Sequence, residues 1–233
     1  MKHLANFLTI LSLAFGFVSI VFSLENHFTF ASWSIIFSVI FDGLDGQVAR
    51  KNPVPSEFGK ELDSLVDVVS FGIAPSVLGY IFIYRDFSFW ATIVLFIYLL
   101  CVVMRLAKYN ITPHEKLVSY FYGLPTTVSG GLLASFILIY RKGKDVSPLP
   151  PFIPMIFLFL VLLLSFLMVS RVRYLNLDGL KEMIGRRIMP ALLILVVFLA
   201  AAISFKKAGT VMFLFFLIYL FFSPFVVKRL NCH

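Results

Sequence analysis

Apolar residues run through this chain in blocks of about 20, divided by short polar breaks, and a helix of that length crosses a hydrocarbon core of about 30 Å. Eight blocks are predicted as spans, at roughly 4–23, 29–49, 57–84, 88–110, 118–140, 149–170, 188–205 and 209–227. The breaks carry turn chemistry: "NPVP" at 52–55, "NITPHEK" at 110–116, "RKGKDVSPLPP" at 141–151 and "KKAG" at 206–209. Neither a repeat nor a soluble domain is visible. The pattern predicts an all-α, polytopic integral membrane bundle of about eight transmembrane helices, forming one domain over residues 1–233.

Composition strengthens that reading. The chain is 60% hydrophobic with 28 Phe and a mean hydropathy of +0.96, whereas a soluble domain is about 45–50% apolar. The Phe stripes are expected to face lipid. The first block, "FLTILSLAFGFVSIVFS", is longer than a secretory signal core, lacks an A-x-A-like site and is followed by further spans, so it reads as span one. Cys101 and Cys232 form neither a disulfide framework nor a metal pattern. The net charge of +8 fits basic loops that meet anionic headgroups, and no nucleic-acid partner is expected. With an even span count both termini share a side, and 14 of the 20 basic residues fall there, with "RKGKD" at 141–145 against the trend. That bias predicts a protein of the cytoplasmic membrane whose termini and active site face the cytoplasm.

One segment breaks the apolar pattern. Residues 42–67, "DGLDGQVARKNPVPSEFGKELDSLVD", hold six of the 12 acidic residues. Asp42 and Asp45 are three apart and Asp63 and Asp67 four apart, spacings that put each pair on one helix face. Pro53 and Pro55 break the chain between the pairs, so span three can return antiparallel to span two and bring the two acidic faces together. Four close carboxylates repel, and each costs about 2.5–3.5 kcal/mol at mid-membrane. Two divalent cations, Mg²⁺ or Mn²⁺, would compensate, because these hard ions take carboxylate ligands and keep positions open for water and phosphate. Such a pair can clamp the attacking and leaving oxygens of a phosphoryl displacement. Gly43, Gly46 and Gly59 would allow close approach of an anionic group, and Arg50 could grip phosphate oxygens in a fork. Two other readings are an acidic helix end paired with cations for topology and a cation transporter. Transport is disfavoured because Asp86 and Asp145 stand isolated at loops and the middle of the bundle is apolar.

"DGLDGQVAR", eight residues, Gly59, three residues, Asp63, three residues and Asp67 resemble the complete signature of the CDP-alcohol phosphotransferases, D-x2-D-G-x2-A-R-x8-G-x3-D-x3-D. All its fixed positions match, which by chance is on the order of 10⁻⁸ at ordinary residue usage. The resemblance implies that Asp42, Asp45 and Asp63 hold two metals and that Asp67 is the general base and also touches a metal. It implies that Gly46, Ala49 and Gly59 line the cytidine-diphosphate site with Arg50 near its phosphates, and that the protein is a homodimer. Asn6 and Thr9 resemble the family's opening "PNxLT", with Ala5 in place of Pro; they either reach the nucleotide or bond to neighbouring helices. The implied reaction moves a phosphatidyl group from a CDP-linked lipid to an alcohol and releases CMP.

The rest of the chain bears on the alcohol. "EFGKELDSLVDVVSFGIAPSVL" at 57–78, "MRLAKYN" at 104–110, "YGLPTT" at 122–127 and "LMVSRVRY" at 167–174 are similar to the membrane-embedded phosphatidylserine synthases. Lys108, Tyr109 and Leu175 depart from their usual Arg, Phe and Pro. The resemblance covers about 4–174, with 175–233 as two extra C-terminal spans, and implies CDP-diacylglycerol and L-serine as substrates among membrane lipids. Glycerol 3-phosphate, inositol phosphate and an archaeal ether-lipid donor remain alternatives. Arg105 and Lys108, three apart at the end of span four, could bind the serine carboxylate, with Asn110, Tyr109 or a cluster carboxylate meeting the amine; the two cations could also simply snorkel. "GLP" at 123–125 is expected to kink span five and open a cavity toward lipid.

Overall fold

The computed structural model describes residues 2–49, 57–111, 120–141, 149–150, 152–175 and 208–230. These form a helical membrane bundle, with six helices long and apolar enough to cross a bilayer and a shorter apolar one. Large side chains such as Phe7, Phe17, Phe159, Phe166 and Phe221 stand exposed on its outside, as a lipid-facing surface requires. The span expected at 188–205 lies outside the described residues, as do Arg50 and Cys232.

The first two helices, α1 (Lys2–Leu24) and α2 (Phe28–Ala49), form a hairpin. Asn26 closes α1 in the left-handed conformation, at φ 60°. Asn26 N donates to Ser23 O at 2.9 Å and His27 N to Phe22 O at 2.8 Å, the paired bonds of a Schellman cap. Along the hairpin, Ser12 and Ser38 hydroxyls meet at 2.7 Å and Ser19 Oγ donates to Ala31 O at 2.9 Å. Lipid offers such groups no water, so facing helices satisfy them.

Helix α3 (Glu57–Asp67) runs through a π-helical segment, Val68–Ile73, into α4 (Ala74–Ile111). A π segment re-aims whatever follows it. Tyr98 donates to Phe71 O at 2.8 Å and Ser76 Oγ to Gly72 O at 2.7 Å, anchoring two of its carbonyls. α1 packs against it at Gly16, where an added Cβ would lie 2.5 Å from Ser70 Oγ. Gly72, in the π segment, faces Leu99 and Val102 of α4, and Gly79 faces Leu95 of the same helix. The chain therefore reverses between two antiparallel spans, Glu57–Ile83 and Phe89–Ile111, which matches the expected third and fourth spans.

Span five is shorter than expected. Residues Tyr120–Tyr122 form a strand, β1, antiparallel to β2 (Arg173–Leu175), with Phe121 opposite Tyr174. Helix α5 starts only at Thr126 and ends at Tyr140. "GLP" is thus the turn into α5 and no kink within a helix. Gly123 sits at φ +80°, where a Cβ would collide with the Met168 carbonyl oxygen, and its N–H donates to Val172 O at 2.8 Å. Leu124 is 0% exposed, so the turn packs against protein.

After α6 (Phe152–Val169), the last described helix is α7 (Ala208–Leu230). It lies antiparallel to α5: Gly209 faces Leu138 and Ile139, and the Phe216 ring covers Gly131. The alternating directions bring the start of α1, the end of α2, the start of α3, the end of α4 and the start of α5 to one end of the bundle. The opposite end is aromatic, with Phe157 against Phe82 at 5.3 Å and Phe136 at 5.6 Å, and Arg141 over the rings of Phe28 and Phe82.

Candidate active site

Asp42 comes from the end of α2, and Asp63 and Asp67 from successive turns of α3. One carboxylate oxygen from each lies within 4.8 Å of the others. The faces predicted from spacing do meet. Asp45 is 4% exposed and stands outside this tight trio, next to Asp63 and the Thr9 hydroxyl. Thr9 Oγ1 also lies 3.0 Å from Ala5 O, and its single proton serves either the helix carbonyl or Asp45.

The donor set fits a hard cation. Asp45 Oδ2, Asp63 Oδ1 and Asp67 Oδ1 are buried with no hydrogen-bond partner in the structure. Orphaned carboxylate oxygens at such density are costly unless a positive charge joins them. The trio contains neither His nor Cys, so its all-oxygen character favours Mg²⁺ or Mn²⁺ over Zn²⁺. A Cβ added at Gly43, next to Asp42 in the chain, would meet nothing within 4 Å. Gly46 and Gly59 are half-buried, Ala49 is exposed at the end of α2, and Asn6 is half-buried one turn before Thr9.

A second side of the site faces Asp67 from α4 and α5. Arg105 Nη1 donates to Thr126 Oγ1 at 3.0 Å, and Thr126 Oγ1 donates to Asp67 Oδ2 at 3.2 Å. Thr126 is 1% exposed and links cation to carboxylate. Arg105 Nε is buried without a partner. Asn110 is occupied elsewhere: its Nδ2 donates to Ser64 Oγ at 2.9 Å and its backbone carbonyl accepts from Lys60 Nζ at 2.8 Å. Lys108 is exposed one turn beyond Arg105. Of these three candidates, Arg105 is the one tied to Asp67.

The sequence reading quoted Thr126 within "YGLPTT" but gave it no role; a hydroxyl directly after a helix-starting Pro was the available signal.

A profile of the CDP-alcohol phosphatidyltransferase family matches residues 2–169. The chain is 34% identical over 176 residues to a CDP-diacylglycerol–serine O-phosphatidyltransferase of Helicobacter pylori, covering 76% of this chain and 73% of that protein. It is 35% identical to a protein of the same name from Methanocaldococcus jannaschii, covering 73% of each. An archaetidylserine synthase of Methanothermobacter thermautotrophicus is 32% identical, with 76% and 71% covered.

Proposed function

The chain belongs to the CDP-alcohol phosphatidyltransferase family, and from that premise we propose that it transfers a phosphatidyl group from CDP-diacylglycerol to L-serine, giving phosphatidylserine and CMP. The observation that carries this reading is the continuous arrangement of the carboxylate trio, Thr126 and Arg105, in which a base and a cation stand on either side of one hydroxyl. Serine needs both: a base for its hydroxyl proton and a cation for its carboxylate.

In the proposed mechanism the Arg105 guanidinium holds the serine carboxylate through a charge-assisted bond. Asp67, whose Oδ2 accepts from Thr126, takes the hydroxyl proton. The serine oxygen attacks the phosphorus bearing diacylglycerol, and the bond from that phosphorus to the CMP oxygen breaks. Asp42, Asp45, Asp63 and Asp67 would hold two divalent cations, Mg²⁺ or Mn²⁺, which supply neutralising charge to the diphosphate when bound. Gly46, Ala49 and Gly59 would line the donor site with Arg50 at its phosphates, while Asn6 and Thr9 reach it from α1. The active site and both termini face the cytoplasm in this reading, in a single domain that pairs as a homodimer. The likeness to an archaetidylserine synthase supports a second reading for the donor, an ether-linked CDP-lipid with the same acceptor.

The test is CMP release by purified protein given CDP-diacylglycerol or its ether analogue with a panel of labelled alcohols. Serine should be used well ahead of glycerol 3-phosphate and inositol phosphate. A preference for either phosphorylated alcohol overturns the serine assignment.

A further inference from the structure

We propose that Thr126, the first residue of α5, is a positioning residue whose hydroxyl works as a spacer. It keeps the Arg105 guanidinium and the Asp67 carboxylate from pairing with each other, so that both stay available to the acceptor. The inference rests on the serine reading above. Opposite charges brought together inside a protein attract strongly. Yet among the described residues Arg105 and Asp67 form no direct ion pair within 4.0 Å. One oxygen stands between them instead, accepting from Arg105 Nη1 at 3.0 Å and donating to Asp67 Oδ2 at 3.2 Å. A guanidinium only donates and an ionised carboxylate only accepts, so a hydroxyl is the group that can satisfy both.

The local fold commits Thr126 to that task. A hydroxyl at a helix start commonly caps its own helix. Here Pro125 is the N-cap of α5 and no side-chain cap bond is made, so the Thr126 hydroxyl is turned to the two charges. Its backbone is held from both directions. Ser129 Oγ donates to Thr126 O at 2.8 Å. Upstream, Leu124 N donates to Leu167 O at 3.1 Å and Gly123 N to Val172 O at 2.8 Å, which pins the turn to the end of α6 and the residues before β2. Thr126 is 1% exposed, so bulk water is kept from taking the place of its hydroxyl.

A packing role alone would be served by Val, which has the same branched shape without the polar oxygen. Without that oxygen the guanidinium, on its flexible stem, closes onto Asp67. The base then meets serine already paired, and the cation meets the serine carboxylate with its charge already matched. The loss should therefore divide between the two constants, the Asp67 share falling on kcat and the Arg105 share on the serine KM. Ser keeps the oxygen and gives up only the methyl.

The experiment measures kcat and the KM for serine and for CDP-diacylglycerol by CMP release in the full-length purified protein. It compares the parent with Thr126→Val, Thr126→Ser and the double variant Thr126→Val, Arg105→Ala. Ser135→Ala, which removes a buried hydroxyl further along α5, is the control and should match the parent. Thr126→Val should lower kcat/KM for serine about 10–100-fold, the scale of lost hydrogen bonds to charged groups, with kcat and KM both affected. The CDP-diacylglycerol KM should move no more than about twofold. Thr126→Ser should return both serine constants to within about threefold of the parent. In the Arg105→Ala background, Thr126→Val should leave the serine KM where it is and still lower kcat, because the two residues share one route to the acceptor carboxylate. Parent-like constants in Thr126→Val, equal rises in both KM values, or a folded Thr126→Ser as impaired as the Val variant overturns the proposal. If Thr126→Val does not fold, Thr126→Ala is judged by the same criteria. If the parent prefers another alcohol, the serine reading falls, and the same comparison with that alcohol judges Thr126.

Discussion

The carboxylate trio draws on α2 and α3, near neighbours in sequence, whereas Arg105 and Thr126 come from α4 and α5. In the first region α1 packs on both helices that carry the partners. In the second, each contact depends on more distant packing: the reversal within α4 and the short β pairing before α5. A change to the first region should act on donor and metal together. A change to the second should act on the acceptor and spare the donor.

The largest expected effect falls on the carboxylate side. EDTA should abolish CMP release, with Mg²⁺ or Mn²⁺ restoring it and Zn²⁺ doing so poorly. Asp42→Asn or Asp63→Asn should lower turnover more than about 100-fold, beyond what loss of a merely supporting residue causes, and weaken CDP-diacylglycerol binding in parallel. Full activity in chelator would remove the cations from the reading.

Asp67 belongs to both regions, as a member of the trio and as the acceptor of the Thr126 hydrogen bond. Asp67→Asn should lower kcat by about 10²–10⁴, the usual contribution of a general base. Donor binding should survive better than in Asp42→Asn, measured by the Kd for CDP-diacylglycerol. Near-normal turnover would show that the base lies elsewhere.

Arg105→Ala tests the acceptor side alone. It removes a charge-assisted bond worth about 1.5–3 kcal/mol, a 10- to 150-fold rise that should appear in the serine KM. Serinol, which lacks the carboxylate, should be a poor substrate for the parent and lose little more in the variant. Equal losses with serine and serinol would mean that Arg105 does not meet the carboxylate.

The same contrast explains what the sequence could show. Asp42, Asp63 and Asp67 were legible because carboxylates at helical spacing in an apolar chain are conspicuous and local. The spans of α1, α2, α6 and α7 were legible from length and hydropathy, within a few residues at each end. The start of α5 was not, because Tyr120–Tyr122 is as apolar as the helix it precedes and only its distant partner Arg173–Leu175 makes it a strand. Asn110, read from the sequence as meeting the serine amine, bonds through Nδ2 to Ser64 Oγ and through its carbonyl to Lys60 Nζ, partners that the sequence does not show.

The smallest predicted effect tests what keeps the two regions in register. Tyr98 is 0% exposed; its hydroxyl donates to Phe71 O in the π segment four residues after Asp67, and lies 3.0 Å from Ser129 Oγ on α5, one turn after Thr126. It therefore ties the backbone that carries Asp67 to the helix that carries Thr126. Tyr98→Phe keeps the ring and removes only the hydroxyl. Hydrogen bonds between membrane helices contribute about 0.6 kcal/mol on average and up to about 1.7, because partners are also found in the unfolded reference state. For a chain of this size that corresponds to a fall in Tm of roughly 2–6 °C, read by thermal unfolding in detergent. If the tie only stabilises the fold, kcat and both KM values at a temperature well below Tm should match the parent. If it sets the distance between base and acceptor, kcat should fall while both KM values hold, since the groups that bind each substrate are untouched. A rise in the CDP-diacylglycerol KM would break the comparison itself, because it would show that the two carboxylate-bearing helices depend on α5 for their shape and are not the self-contained unit that their spacing suggests.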